Sequence, residues 1–374
     1  MVLPTLAAAA QDGSALQASK DLINAISVPQ FSLPVLAIAF VLMLVTYRTW
    51  TRPAVFVVLA GIFCLVYFGS MAIDENYLKI LRKPDNVPIT MMLLGTGFFI
   101  WLALRQAAIN DERVEKGEPL IEGGRDDKVL VWPDLVYSEL ICIVLASVAL
   151  IVWSIVLRAP LEAPANPAGP PNPSKAPWYF LGLQEMLVYY DPWMAGVILP
   201  GLIVSGLIAM PYMDMNPKGN GYYTLKDRKF AVGIWLFGFL ILWVVLIVFG
   251  TFLRGPNWNF FGPYEAWNAA IQVPLTNINL SDYFWTFGLG QPLPENMFVR
   301  EFLGIAFIAA WVMILPVILG FMGLRKMRIE LGWIRFVIMS VHLVVMALLP
   351  LKMVLRWLFT LKYFIYLPEI NLNV

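Results

Sequence analysis

The residues that could do chemistry in this chain are few, and the most informative of them follow a proline-rich stretch. Seven prolines fall within the 18 residues from Pro160 to Pro177, and Trp178, Tyr179 and Phe180 come directly after them. Proline lacks a backbone N–H and fixes φ, so this stretch is predicted to be a rigid, extended connector rather than a helix or a central strand. Such a rigid connector would hold the short aromatic run in a fixed position. This indicates that the segment does more than link two helices.

A carboxylate follows the aromatic run at a helical spacing. Glu185 lies seven residues after Trp178. If residues 178–190 form an amphipathic helix lying on a membrane surface, seven residues make two turns and place Glu185 on the Trp178 face. Carboxylates and phenols such as Tyr179 are groups that exchange protons. The alternatives are a solvated carboxylate at Glu185 and an aromatic membrane belt at Trp178 and Tyr179.

The other reactive residue types argue against metal chemistry on this chain. The two cysteines, Cys64 and Cys142, lie in apolar runs without a second cysteine nearby, so zinc, iron–sulfur and covalent haem ligation are disfavoured. His342 is the single histidine, whereas a bis-histidine haem needs two. The sequence therefore predicts no metal site, and His342 is interpreted as a hydrogen-bonded packing residue, with a quinone or proton contact as the alternative.

The elements that must position these residues are membrane helices. The 374-residue chain is 60% hydrophobic and 14% charged, whereas a soluble domain is about 25% charged. Apolar runs long enough to span a bilayer are predicted to be helices, because lipid cannot satisfy an open backbone. Eight such runs are predicted, at about 33–49, 53–73, 88–108, 135–157, 192–213, 231–253, 301–323 and 334–357. The fold class is therefore an all-α integral membrane protein with an external proline-rich loop and an interfacial amphipathic helix.

The distribution of basic residues predicts the orientation. Loops on one side of the predicted helices carry 15 Lys and Arg residues, and loops on the other side carry 7. Because cytoplasmic loops are enriched in Lys and Arg, the proline-rich loop and both termini are predicted to be external. The first residues lack the pattern of a signal peptide. The net charge of +1 gives no reason to expect nucleic-acid binding, and the nearly charge-free membrane interior disfavours an ion-coupled transporter.

Three motifs carry a resemblance to a known family. They are KAPWYFLGLQEML, NPKGNGYYTLKDRKF and GTFLRGPNWNFFGPYEAW. Together with a spanning helix before the proline-rich loop, they resemble the C-terminal half of cytochrome b, found separately as subunit IV of the cytochrome bf complex. They also look like the cytochrome b C-terminal subunit of bacterial menaquinol:cytochrome c reductases.

The resemblance divides the chain into five segments. The polar residues 109–131 separate the family-like part from three additional helices, whose role the sequence does not disclose. The segments are an N-terminal three-helix extension at 1–108, a cytoplasmic linker at 109–131, a cytochrome b C-terminal-like domain at 132–253 with its quinol-site loop at 159–191, an external aromatic loop at 254–300, and two C-terminal helices with a tail at 301–374.

The resemblance implies a quinol-oxidising pocket at the aromatic run. In the family a Pro-Glu-Trp-Tyr motif lies at this site, and its glutamate is thought to accept a quinol proton. Pro177 stands at the position of that glutamate here, so another residue must take the proton. The predicted quinol-binding residues are Pro177, Trp178, Tyr179 and Phe180. Tyr179 and Glu185 are the predicted acceptors, with Asp191 and Glu162 behind them.

On the cytoplasmic side the resemblance points to Asp134. In the family an aspartate near the start of the corresponding helix helps to protonate reduced quinone, and Asp134 occupies that place. Its alternative role is a helix N-cap. Glu139 is interpreted as an interfacial carboxylate one turn further on. Lys226 and Asp227 could admit protons, although a solvated charge cluster is the simpler interpretation.

The resemblance also implies the partners and the cofactors. The expected partners are a haem-b-bearing cytochrome b N-terminal subunit, a Rieske-type iron–sulfur protein, a c-type cytochrome and lipids, in a dimeric complex of the bacterial inner membrane. The chain itself would bind no covalent cofactor, and menaquinol would be the substrate. The predicted function is a share of the quinol-oxidising pocket, with electron transfer coupled to proton release. The alternative is a non-catalytic structural subunit of a larger respiratory assembly.

Overall fold

The protein folds as a bundle of long apolar helices, described here from a computed structural model. The structure describes residues 15–124, 129–156, 164–216, 221–273, 276–370 and 372–374. Seven of the described helices are long and apolar enough to cross a membrane, and a bent pair raises the number to eight if it forms one span. This confirms the prediction of an all-α multi-pass membrane protein.

The long helices agree with the predicted spans. The bent pair consists of α1 (Ala15–Ser27) and α2 (Pro29–Val45), which meet at 79°. The remaining long helices are α3 (Pro53–Ile73), α4 (Asn86–Lys116), α5 (Val131–Val156), α6 (Met194–Met213), α7 (Lys229–Leu253), α8 (Phe302–Phe321) and α9 (Arg325–Phe359).

Proline and glycine explain several of the helix boundaries. Pro29 and Pro53 occupy the first turns of α2 and α3, where the missing N–H costs no helical hydrogen bond. Gly117, with φ of 72°, ends α4 in the left-handed conformation that glycine adopts easily. Helix α9 continues through Pro350 and is instead interrupted at Gly332, whose φ is 75°.

Short elements connect the long helices. Their bounds are Tyr47–Trp50, Glu75–Arg82, Leu181–Met186, Leu280–Asp282 and Met297–Arg300 for α-helices, Tyr283–Gly288 for a π-helix, and Glu122–Gly124, Trp178–Phe180, Pro256–Trp258 and Pro368–Ile370 for 3₁₀-helices. Two short strands, Tyr366–Leu367 and Leu372–Asn373, pair antiparallel with Tyr366 opposite Asn373. The proline-rich stretch from 164 to 177 contains no helix or strand, as predicted.

The largest buried cluster lies under the segment that follows the aromatic run. Tyr189 and Tyr190 are at most 1% exposed and pack with residues of α7, α9 and the C-terminal tail. This core therefore fixes the segment after residue 180 to the bundle. Helix α5 is the opposite case, because its described residues 136–156 include no buried side chain.

Candidate functional site

Glu185 forms the centre of a buried polar network. It lies on the six-residue helix Leu181–Met186, and its side chain is 0% exposed. Arg254, at the end of α7, donates from Nη2 to Glu185 Oε1 at 2.7 Å and from Nε to Oε2 at 3.0 Å. This two-point geometry is the strong form of an arginine–carboxylate pair. It joins two segments that are 69 residues apart in the sequence.

Two aromatic side chains complete the coordination of this carboxylate. Trp258 Nε1 donates to Glu185 Oε2 at 3.1 Å, and the Tyr189 hydroxyl donates to Oε1 at 3.1 Å. Trp357 of α9 donates in turn to the Tyr189 oxygen at 3.1 Å. Each carboxylate oxygen therefore accepts two hydrogen bonds.

The charges of the network stabilise each other. Burial opposes the charged form of Arg254, but the Glu185 carboxylate beside it keeps the pKa of the guanidinium above its usual value. Burial, reinforced by the Glu185 charge, raises the pKa of the Tyr189 hydroxyl. Tyr189 therefore stays protonated at physiological pH, and it acts here as a hydrogen-bond donor.

The aromatic run lies on the outside of this network. Trp178, Tyr179 and Phe180 form a 3₁₀ turn and are 37%, 47% and 48% exposed. Tyr179 packs edge-on against Trp178, with ring centroids 5.6 Å apart, and its ring lies 4.5 Å from that of Phe180. Pro177 directly before them is also exposed. The structure thus brings Pro177, Trp178, Tyr179 and Phe180 together as one continuous exposed surface.

Glu185 and Trp178 do not share a face, although their spacing suggested it. Residues Trp178–Phe180 form a 3₁₀ turn, which has three residues per turn instead of the 3.6 of an α-helix. The α-helix that follows ends at Met186, so 178–190 is not one continuous α-helix. Trp178 consequently points outward while Glu185 is fully buried. Within residues 178–190, the short helix Leu181–Met186 is set into the core, with Leu181, Gly182, Glu185 and Met186 buried.

The loop before the aromatic run is attached to the same short helix. Gln184 Oε1 accepts a hydrogen bond from the Ala176 N–H at 2.8 Å, and Gln184 Nε2 donates to the Ser174 carbonyl at 2.8 Å. Lys175 lies between these two contacts, and its Nζ donates to the Thr251 carbonyl at 2.8 Å. The polypeptide around Pro177 is therefore held on both sides.

The other predicted residues lie elsewhere. Asp191 accepts a hydrogen bond from Asn373 at 3.4 Å, close to the C-terminal tail. Glu162 falls outside the described residues. Asp134 is exposed at the start of α5, and within the described part of the chain no side-chain bond caps the helix there. Glu139, also on α5, is exposed.

His342 and Lys226 have structural partners. His342 Nε2 lies 2.9 Å from the Ser205 hydroxyl, and Nδ1 lies 2.7 Å from the Ile338 carbonyl, so the ring links α9 to α6. Lys226 pairs with Glu115 at 3.0 Å, and Asp227 accepts from the Tyr222 hydroxyl. Among the described residues, no group of three or more His, Cys, Asp or Glu side chains could hold a metal ion.

Sequence reasoning missed Arg254 and the aromatic donors around Glu185. The available signal was an arginine placed directly after the apolar span Lys229–Leu253, inside the motif GTFLRGPNW. A charge at such a boundary often has a buried partner, since an unpaired charge is costly near apolar surroundings. The sequence does not reveal which carboxylate that partner is.

Helix α4, which runs from the N-terminal extension into the linker, contacts the family-like part through a second polar cluster. Asp111 of α4 is 2% exposed. It accepts hydrogen bonds from the Tyr47 hydroxyl at 2.8 Å, from the Thr224 hydroxyl, and from the backbone N–H groups of Leu225 and Lys226 at 3.1 and 3.0 Å. A single buried carboxylate thus ties α4 to the loop before α7.

An apolar groove of about 480 Å³ lies between α4 and α7, away from the aromatic run. Its lining includes Phe99, Ile100, Trp235 and Phe239, with Tyr223 and Thr224 at one end. Apart from the Tyr223 phenol at that end, the described lining is largely apolar and carries no carboxylate, histidine or cysteine. The groove therefore does not compete with the aromatic run as the candidate site.

Comparison with known proteins agrees with the sequence motifs. Residues 164–267, which begin in the proline-rich loop and include the aromatic run and Arg254, match the family model for cytochrome b(C-terminal)/b6/petD. No solved structure matches the chain. The family consists of membrane subunits of quinol-oxidising cytochrome b complexes, which work with a cytochrome b N-terminal partner and with haem. Residues 164–267 therefore belong to a cytochrome b C-terminal-type domain of the subunit IV kind.

Proposed function

We propose that this protein is the subunit IV-like component of a bacterial menaquinol:cytochrome c reductase and forms one wall of its quinol-oxidising pocket. The observation that carries the proposal is the exposed surface of Pro177, Trp178, Tyr179 and Phe180, held on the buried Glu185–Arg254 network. Exposed aromatic rings on a rigid support suit a flat, apolar quinol ring with polar edges.

The other wall would come from a partner subunit. The aromatic surface is open rather than enclosed in this chain, and α5 presents apolar side chains with none of its described residues buried. Helices of this kind pack against lipid or against the helices of other subunits. We assign the opposite wall to a cytochrome b N-terminal subunit that carries the b haems.

Within the pocket we assign Tyr179 to direct contact with the quinol, because its hydroxyl-bearing ring is exposed beside Trp178. Glu185 is fully buried and saturated with hydrogen bonds, so a role in proton release would run through the network rather than through contact with substrate. One of the two quinol electrons would pass to a Rieske-type iron–sulfur protein and the other to haem b. A c-type cytochrome would then accept the electron from the iron–sulfur protein. Asp134, at the other end of α5, would serve quinone protonation on the cytoplasmic side.

The positions in the membrane follow the charge distribution. The proline-rich loop and both termini would face outward across the bacterial inner membrane, and the protons of the quinol would be released there. The complex would be a dimer, with lipids between its helices. The assignment of the electron acceptor as a cytochrome c rests on the motif resemblance.

Replacing Trp178 with alanine should weaken quinol binding roughly two- to twelvefold, since an aromatic contact contributes about 0.5–1.5 kcal/mol beyond its area. Tyr179→Phe should lower kcat through loss of its hydroxyl. The measurement is quinol-dependent cytochrome reduction by the purified complex. Tyr212→Phe is the matched control, because Tyr212 is 70% exposed at the opposite end of α6. Unchanged kinetics in both site variants would favour a purely structural subunit.

A further inference from the structure

Lys175 is an unusual lysine in the loop before the aromatic run. It lies two residues before Pro177, between the two contacts that fix the loop to Gln184. Its Nζ donates to the Thr251 carbonyl at 2.8 Å and lies 4.9 Å from the centre of the Trp267 ring. A lysine on a membrane-protein loop usually extends into water, whereas this one is turned inward.

Both residues that contact the Lys175 amine carry a buried polar atom without a partner. Thr251 is 0% exposed, and its Oγ1 makes no hydrogen bond within the described residues. The Nε1 of Trp267 is likewise buried and makes none there. Buried polar groups in native proteins are nearly always paired, so the unpaired atoms on these two neighbours of Lys175 are available to bind a ligand oxygen or a water molecule.

The charges that face this amine are predominantly positive. The positive charges of Lys83, at the end of helix Glu75–Arg82, and of Arg254 disfavour the charged form of Lys175. Glu185 is the carboxylate that favours the charged form, and it is itself paired with Arg254. Within the described part of the chain, Lys175 forms no ion pair of its own. Burial first, and then these positive neighbours, lower the pKa of Lys175 to about 7. A large share of the amine is therefore neutral at physiological pH.

We propose that Lys175 is the base that accepts a proton from the quinol, in place of the family glutamate whose position is Pro177. The inference deepens the proposed function and rests on it. Thr251 Oγ1 and Trp267 Nε1 would hold the quinol hydroxyl or a bridging water next to the amine. Lys175 thus differs from Glu185, which accepts four hydrogen bonds and has no free position for a proton donor.

The proton transfer balances with the acceptors already proposed. One O–H bond of the quinol breaks, and one N–H bond forms on the lone pair of Nζ. The quinol anion would then give one electron to the iron–sulfur centre and one to haem b on the partner subunits, and its second proton would pass to water on the external side. The ammonium afterwards releases its proton to water on the external side, which restores the neutral amine.

The test compares Lys175→Arg and Lys175→Gln in the purified complex, with a reduced short-chain naphthoquinol as substrate. Arginine keeps a positive donor for the Thr251 carbonyl but does not deprotonate, and glutamine keeps a donor without basicity. Because a base at this position contributes about 10²–10⁴-fold, we expect each variant to lose at least a hundredfold in kcat. The wild-type rate should fall as the pH drops below about 7, because protonation removes the base, and this dependence should disappear in both variants.

The outcomes separate this inference from the proposed function. If the wild-type complex oxidises quinol and Lys175→Arg keeps the wild-type rate and pH profile, Lys175 serves only as a positively charged hydrogen-bond donor. That result overturns the inference. If the wild-type complex does not oxidise quinol, the proposed function fails. Lys79→Arg is the matched control, because Lys79 is an exposed lysine paired with Glu75. If Lys175→Arg reduces assembly of the complex, Thr251→Val provides a second test, because it keeps the backbone carbonyl that Lys175 contacts. This variant must lower kcat without altering the haem content, and an unchanged kcat would overturn the inference.

Discussion

Replacing Arg254 with methionine should destabilise the protein by about 3–5 kcal/mol, the cost of leaving one buried charge without its partner. The Glu185 carboxylate would lose both bonds to Arg254 while remaining 0% exposed. The aromatic run directly precedes the helix that carries Glu185, so loss of this pair should lower the rate of quinol oxidation together with the stability. Thermal unfolding of the purified complex and its yield from the membrane measure the effect.

A double variant distinguishes the ion pair from simple packing. Glu185→Met combined with Arg254→Met removes both charges, and replacing a whole buried pair by apolar residues is far less costly than breaking it. The double variant should therefore be more stable than either single variant. Glu75→Gln is the control, since its pair with Lys79 is exposed and should not affect the unfolding temperature. Equal destabilisation in the single and double variants would contradict the role given to this pair.

Asp111→Ala should detach the N-terminal extension from the family-like domain. The substitution leaves the buried N–H group of Leu225 without an acceptor, at about 1–3 kcal/mol, and also removes the acceptor of the more exposed Lys226 N–H group. Hydrogen exchange in the loop before α7 should rise, and limited proteolysis should cut there sooner. Glu112→Ala is the matched control, because Glu112 is the next residue on α4 and makes no hydrogen bond within the described residues. Unchanged protection of the loop in the Asp111 variant would show that the extension is held by apolar contacts alone.

The spans could be predicted from the sequence because each depends on a local property. The predicted helix at 53–73 has the same bounds as α3, since a proline begins it and the apolar run ends before Asp74. Helix α4 extends to Lys116, eight residues beyond the predicted 108, because its last turns are polar but still helical. Hydropathy detects the membrane-buried part of a helix and does not detect its polar continuation.

The candidate site was predictable in part. The aromatic run and the proline-rich connector were identified from residue types alone, and the structure places the aromatic residues together on the surface. The pairing of Glu185 with Arg254 depends on how α7 packs against the short helix Leu181–Met186, which no local pattern encodes. The same applies to Lys175, whose significance comes from Thr251 and Trp267 in distant segments. Tertiary contacts of this kind decide which of several charged residues has a chemical role.

Membership in a quinol-oxidising complex is tested most directly by a reduced-minus-oxidised spectrum of the protein purified gently from its native membrane. The spectrum would be recorded before and after addition of quinol, with and without an inhibitor of quinol oxidation. We expect haem b and haem c bands from the co-purified subunits, and we expect quinol to reduce these haems and the inhibitor to block that reduction. A stable preparation without haem bands would contradict membership in a quinol:cytochrome c reductase.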